Sequence, residues 1–337
     1  MSLTGQGGLP GRGDEGLAPR TVVLTSLARP PRLLGSYARM AAGALCADTT
    51  RDGDGDGGEA LLERRLELRA VTADPRRLAR FRAVCGLRAA TSLPVTFPHV
   101  MAHPLRLALL ADRSFPLPPA RLVVIENSIH QHRPVPIRQA LSIVLSTGET
   151  EPHPRGRTVE VFTEARADGE LLWESSSTML HRSRPRPAGS RPAQAQRSSV
   201  PGGGREVNGG HQLWAVDRRV TRRYAAASGD RNPVYTHRIA ALAARLPGAV
   251  AHGMWVKARA LSAVQDELPG TVGVQAVFLR PVVLPGFVEL RTRRAEGETE
   301  LVVRDADTHL THMRARAYLL PTAPQTTGAR AVRSASG

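Results

Sequence analysis

A chain of 337 residues is long enough for about two ordinary domains. Its formal charge of +16 is carried by arginine, with Lys257 the single lysine; together with abundant Ala, Gly and Pro this reads as coding bias, and without an aromatic-interleaved basic helix it does not indicate a nucleic-acid partner. No run approaches the roughly 18 consecutive apolar residues of a membrane helix, and Cys46 and Cys85, with neither C-x-x-C spacing nor histidines at zinc spacing, read as buried reduced thiols and exclude a disulfide framework or a zinc site.

In chain order, residues 1–20 read as a flexible tail, Gly- and Pro-rich and without the apolar core of a signal peptide, which gives an expected cytoplasmic location. Thr21 to Leu45 is expected to supply a strand or a helix. Residues 48–58 form an Asp/Gly-rich insert. Its Asp52-Gly-Asp54-Gly-Asp56-Gly57 run, with Glu63 in twelfth place, satisfies the calcium-loop pattern. The eighth place holds Glu59 where an apolar residue belongs, and no second loop exists, so the run reads as a flexible insert and no metal is expected.

Order resumes over Leu61 to Val71. A helix over Leu105–Asp112, a strand over Leu122–Ile129 and further strands to Leu180 complete a first domain, residues 21–182. His130 and His132 share one face of that region; lacking a third ligand, they read as a polar face and not as a metal pair. Ser175-Ser-Ser-Thr178 reads as sheet surface. Residues 183–205, rich in Arg, Pro, Ser and Gly, are a linker. The second domain, residues 206–320, repeats the order: a helix over Met254–Val264, a strand over Val272–Leu279, then strands to Leu320. Residues 321–337 have little to bury and are expected to be disordered. Ala102-His103-Pro104-Leu105 echoes Ala251-His252-Gly253-Met254, and Arg133-Pro134-Val135 echoes Arg280-Pro281-Val282, so the register of an internal repeat holds across a whole domain. The absence of G-x-S-x-G, of a P-loop and of a dinucleotide fingerprint leaves hydrolase, NTPase and oxidoreductase readings without footing, and no cofactor is expected.

The stretch that carries chemistry is Tyr224-Ala-Ala-Ala-Ser-Gly-Asp-Arg-Asn-Pro-Val-Tyr-Thr-His237, followed by Ala251-His252-Gly253-Met254. It resembles the signature of the MaoC-type (R)-specific enoyl-thioester hydratases, Y-A-x-x-S-G-D-x-N-P-[I/V]-H and then A-H-G-M, in their two-domain actinobacterial form. The resemblance implies an α+β tandem double hot-dog fold, each domain a long helix wrapped by an antiparallel sheet. It also implies reversible hydration of a trans-2-enoyl thioester to the (R)-3-hydroxyacyl thioester in fatty-acid or polyketide metabolism. Adding water across C2=C3 needs a base for the water, an acid for C2, and donors for the thioester oxygen as it becomes enolate-like. Carried over residue by residue, Asp230 is the base and the backbone N–H of Gly253, opening a helix, is the oxyanion donor, glycine allowing close approach. Ser228, Asn232 and Pro233 shape the turn. His252 is expected to pack or to hydrogen-bond, and His237 to start a helix facing solvent, although it is also the tempting replacement for a missing imidazole.

The departure is Tyr235, which stands where the family has its catalytic histidine. An unperturbed phenol, with a pKa of about 10, stays protonated at neutral pH; it can orient water but accepts a proton poorly. Two readings stay open: a hydratase or dehydratase of reduced activity, and an acyl-thioester-binding or partner subunit kept for its tunnel. The first domain has Pro104 in the place of Gly253, without an N–H to offer, and Cys85-Gly86-Leu87-Arg88-Ala89-Ala90 in the place of the turn. It reads as a degenerate copy, which in two-domain relatives shapes an acyl-chain tunnel and completes the pseudo-dimer. The expected substrate partner is an acyl-CoA or acyl carrier protein thioester, attracted by the basic surface; the expected protein partner is a second copy or a separate hot-dog subunit.

Overall fold

The computed structural model describes residues 22–27, 29–31, 35, 63–112, 115–119, 122–182, 210–243, 246–295 and 297–321. The expected tail 1–20, the insert 48–58 with its Asp52–Asp56 run, Cys46, the linker 183–205 and residues 322–337 of the second tail lie outside them.

In both halves the opening strands are followed by a helix written in the same chemistry. Helix α1 (Pro75–Cys85) is capped by the Asp74 carboxylate, which accepts the Arg77 N–H at 2.6 Å, has proline in its first turn, and ends on Gly86 in the left-handed region. Two short helices follow, α2 (Phe97–Met101) and α3 (His103–Leu110). In the second half α4 (Arg218–Ser228) is capped by Asp217, which accepts from Arg219 N–H at 2.8 Å and Val220 N–H at 2.9 Å, and ends on left-handed Gly229. Then come α5 (Arg238–Ala243) and α6 (Gly253–Ser262). Helix α3 begins two residues before the expected Leu105 because Pro104, with its fixed φ and no N–H to satisfy, sits comfortably in a first helical turn.

The strands are β1 (Val22–Leu27), β2 (Glu63–Val71), β3 (Leu122–Gln131), β4 (Leu141–His153), β5 (Gly156–Ala167), β6 (Glu170–Arg182), β7 (His211–Val216), β8 (Val272–Phe278), β9 (Gly286–Ala295), β10 (Glu298–Asp305) and β11 (Thr311–Leu319). They form one sheet in the order β1-β2-β4-β5-β6-β3-β8-β11-β10-β9-β7. The order β2-β4-β5-β6-β3 of the first half is mirrored by β7-β9-β10-β11-β8 of the second, which is the internal repeat made visible. β1 adds a parallel strand outside β2. The seam is the antiparallel pair β3–β8, with Asn127 opposite Ala276 and Ile129 opposite Val274.

The central helices are apolar nearly all round, as buried helices must be: α6 buries Met254, Trp255, Val256, Ala258, Ala260 and Leu261, and α3 buries Leu105, Leu107 and Leu109. Lys257 is the charged exception buried on α6, at 0% exposed. Its Nζ donates to Asn127 Oδ1 at 2.6 Å, Asn127 O at 3.1 Å and Val274 O at 3.1 Å, using all three ammonium donors on the seam. Asn127 Nδ2 in turn donates to the Ser175 and Ser177 hydroxyls at 2.9 and 3.0 Å. This corrects the sheet-surface expectation for Ser175–Thr178: alternation along β6 turns Ser175 and Ser177 inward, where they complete a buried polar network. His130 and His132 instead flank Glu174, at 3.6 and 3.0 Å, and no group of metal-ligating residues occurs among the described residues. Cys85 is a buried free thiol whose pKa burial pushes up.

Candidate active site

The left-handed cap at Gly229 turns the chain out of α4 and directly into Asp230. Three short hydrogen-bonded links then fix the loop. Asp230 N–H donates to Ser228 Oγ, Asn232 N–H donates to Asp230 Oδ1, and Val234 N–H donates to Asn232 Oδ1, each at 3.2 Å. Asp230 and Asn232 thus each close a local turn with their own side chain, and Pro233–Tyr235 follows as one turn of 3-10 helix. Ser228 and Asn232 accept two of these three bonds through their side chains, and Pro233 opens the 3-10 turn.

His252, 2% exposed, precedes the first residue of α6. Its Nε2 lies 3.0 Å from the Asp230 carbonyl oxygen. A carbonyl only accepts, so Nε2 carries the proton, and burial holds the imidazole below its usual pKa with the Asp230 carboxylate opposing. The Tyr235 ring stacks on that imidazole at 29° with centroids 3.6 Å apart, and the Tyr224 ring tilts against the same imidazole with centroids 4.9 Å apart. Tyr235 therefore packs against a histidine in the position where a histidine was expected to act. At Gly253 a Cβ would meet the Phe278 ring at 3.1 Å, so the start of α6 reaches the pocket as bare backbone.

Ser228, Asp230, Asn232, Tyr235, His252 and Gly253 all line one pocket. His237 does not: it is exposed at the start of α5, as its position in the sequence suggested, and takes no part in the pocket wall.

The opposite wall comes from the first half, and sequence reasoning did not assign it. His99, His103 and Arg106 face the same pocket from α2 and α3, all three under 10% exposed. Arg106 donates to His99 Nε2 at 2.8 Å. Burial and the guanidinium together hold His99 well below the usual imidazole range, while burial lowers Arg106 itself to about 10. His103 is lowered to about 4, chiefly by burial, and the largest charge acting on it is the carboxylate of Asp230. Arg77, on α1, donates through Nε to Ala227 O at 2.7 Å and through Nη2 to Ser228 O and, at 3.3 Å, to Val100 O. A first-half arginine thereby grips the last carbonyls of α4, the helix end that launches Asp230, where a cation is favoured. The signal for His103 was present in the echo of Ala102-His103-Pro104 with Ala251-His252-Gly253. Nothing in the sequence marked Arg77 or Arg106 among so many arginines.

The pocket holds four arginines, Arg106, Arg155, Arg182 and Arg280, and among its described residues a single carboxylate, Asp230. That balance favours an anionic ligand.

Comparison with known proteins agrees with this architecture. Residues 210–309 match the MaoC like domain family. The chain is 28% identical over 290 residues to 3-hydroxyacyl-thioester dehydratase X of Mycobacterium tuberculosis (strain ATCC 25618 / H37Rv), spanning 85% of this chain and 97% of that protein. The crystal structure of M. tuberculosis HtdX superposes with a TM-score of 0.66 at 27% identity, over 76% of this chain and 100% of that one. A MaoC-like dehydratase from Phytophthora capsici shares the fold, with a TM-score of 0.60 at 13% identity over 77% of this chain and 96% of that one. Within the second half, residues 210–309 are similar to a MaoC like domain, and the whole is an α+β double hot-dog.

Proposed function

We propose that this MaoC-like chain is a hydro-lyase that interconverts a trans-2-enoyl thioester and the (R)-3-hydroxyacyl thioester, in fatty-acid or polyketide metabolism. The observation that carries the reading is that Asp230 and Gly253, the first residue of α6, line one pocket. The similarity over most of its length to a protein named 3-hydroxyacyl-thioester dehydratase X supports it.

In the hydration direction, Asp230 holds and polarises a water beside C3. As the water oxygen bonds to C3, the π electrons move through C2 to the thioester oxygen, where the Gly253 N–H and the positive end of α6 stabilise the developing charge. Collapse of that enolate takes up at C2 the proton that Asp230 drew from the water, so the carboxylate ends as it began. The four arginines of the pocket suit the phosphates of coenzyme A or of a carrier protein's phosphopantetheine. The proposal includes one centre per chain, a division into residues 21–182 and 206–320, a cytoplasmic site of action, and assembly with a second copy or a partner hot-dog subunit. No helix among the described residues is long and apolar enough to cross a membrane.

Tyr235 stacking on His252 favours a second reading, an acyl-thioester-binding subunit without turnover. Loss of enoyl absorbance on mixing the protein with crotonyl-CoA and longer enoyl-CoAs decides between them. Turnover that depends on enzyme concentration establishes the hydro-lyase; tight binding of acyl-CoA with no absorbance change leaves only the subunit.

A further inference from the structure

Positive charge is in excess in the pocket, and one of its cations is buried. Arg155 and Arg280 are exposed and Arg182 is half-buried, so these suit phosphates that stay in water, whereas Arg106 is only 7% exposed. A guanidinium presents five N–H donors, and those of Arg106 are mostly unused. Nη1 donates to His99 Nε2 at 2.8 Å, and Nη2 reaches Thr163 Oγ1 at 3.5 Å. The approach of Nη2 to His99 Nδ1, at 3.2 Å, adds no second bond to that ring, because a neutral imidazole accepts at one nitrogen only. Nε has no partner. Among the described residues no ion pair holds Arg106; Asp230, the one carboxylate of the pocket wall, acts on it through space without a hydrogen bond. Burial lowers its pKa to about 10, which still leaves a cation at neutral pH. A cation buried without a counter-ion is costly. This one stands in the wall of the reaction pocket, which also contains the buried polar side chains of His99 and Ser177. The pocket measures about 180 Å³, below the roughly 300–1,000 Å³ of ordinary small-molecule sites. A long hydrocarbon chain would exceed that space and leave Arg106 without an acceptor; a short acyl group bearing an anion meets both conditions.

We propose that the acyl group taken by this pocket is short and carries a carboxylate, which Arg106 receives through the unused N–H donors of Nη1 and Nη2. The inference rests on the hydration reading above and narrows its substrate from enoyl thioesters in general to those of short dicarboxylic acids. A planar guanidinium matches a carboxylate with two parallel hydrogen bonds, the arrangement in which a buried arginine gains most. The substrate is then fixed at its two ends, the thioester oxygen at Gly253 and the free carboxylate at Arg106, with C3 beside Asp230 between them. The addition itself is unchanged: the water oxygen bonds to C3, its proton goes to C2, and the substrate carboxylate takes part in neither bond. The first half of the chain thereby reads the acyl group while the second half carries the carboxylate and the backbone N–H that act on it. An arginine that instead met the thioester oxygen would serve every enoyl thioester alike, which is the difference the experiment reads.

The test uses full-length protein and enoyl-CoAs that differ only at the far end of the acyl group: crotonyl-CoA, fumaryl-CoA with a carboxylate in place of the methyl, the uncharged methyl ester of fumaryl-CoA, and glutaconyl-CoA with its carboxylate one carbon further on. Hydration is followed by loss of enoyl absorbance. For the better of the two acids kcat/KM is expected to exceed that for crotonyl-CoA and for the ester by at least about tenfold, the worth of a hydrogen bond to a charged group. In Arg106→Met that preference falls by at least about tenfold. In Arg106→Lys, which keeps the charge and loses the fork, it falls part of the way. The preference is a ratio within one protein, so a general loss of stability or rate does not imitate it; if Arg106→Met does not fold, the wild-type comparison of acid with ester decides. An acid preference that Arg106→Met leaves within about threefold assigns the carboxylate to another group and overturns the proposal. An Arg106→Met protein that loses rate equally on all substrates makes Arg106 a donor to the thioester oxygen or a packing residue, and overturns it as well. If the wild type hydrates crotonyl-CoA and the ester as well as both acids, the inference about the substrate is wrong while the hydration reading stands. No turnover of any of them overturns the hydration reading itself, and this inference with it.

Discussion

The two halves of this chain share a plan down to their helix caps and differ at two short places. Asp74 and Asp217 start equivalent helices, and Gly86 and Gly229 end them in the left-handed region. After Gly86 the first half continues with Leu87-Arg88, whose Arg88 pairs with Asp266; after Gly229 the second continues with Asp230 and its self-closing turns. At the central helix the first half has Pro104, the second Gly253. The cap geometry common to both halves is a fold requirement, while the carboxylate and the bare backbone N–H exist in one half alone. Divergence has not made the first half a mere support, because it supplies the opposite pocket wall and, through Arg77, the grip on the turn.

The sharpest break of the comparison is Asp230→Asn. Its amide oxygen can still accept the Asn232 N–H, so the protein is expected to melt near wild type while hydration of crotonyl-CoA falls about 10²- to 10⁴-fold. Equal loss of melting temperature and activity would make Asp230 a turn-former only. Lys257→Met tests the seam between halves. It leaves the Asn127 and Val274 oxygens buried and without their donor, at about 2–4 kcal/mol for the set, measured by denaturant unfolding; an unchanged midpoint would show that the halves do not depend on this link.

Acid probes the buried imidazoles that both halves contribute. His103 is lowered from 6.5 to about 4 in the folded chain. The unfolded chain therefore takes up the proton first as pH falls, and stability present above pH 6.5 is lost on the way to pH 4. For His103 the gap corresponds to about 3 kcal/mol at most, and His99 and His252, also lowered by burial, act in the same direction. Thermal melts from pH 7 to pH 4 should show a steep fall that His103→Gln flattens; parallel curves for the two proteins would refute it. Arg77→Met removes the first half's hold on Ala227 and Ser228 while keeping an apolar stem. A roughly tenfold lower kcat with little change in KM is expected from a loosened turn, and unaltered kinetics would confine Arg77 to packing. Pro104→Gly gives the smallest effect: a backbone N–H is restored where no carboxylate turn accompanies it, so kcat does not rise. A large gain would mean that the first half holds a latent second centre.

Sequence alone was enough for the repeat, the motif and, within about two residues, the starts of the two central helices and of the strand that follows each, because these depend on local chemistry. Caps at Asp217 and Gly229, the Asx-type turn at Asp230 and Asn232, and the glycine opening α6 are written within a few residues of where they act. The inward face of Ser175 and Ser177 was misread, since a run of four polar residues carries no period to say which of them the sheet turns toward the core. What only the tertiary structure decided is which distant groups share a pocket. Arg77 reaches Ala227 across 150 positions of sequence, and His103, Arg106 and Asp230 line one pocket because β3 pairs with β8 and joins the two halves. A side chain's neighbours across such a seam leave no mark in composition, so the carboxylate of this site was legible in its motif, and Arg106 in its pocket and Arg77 on its turn were not.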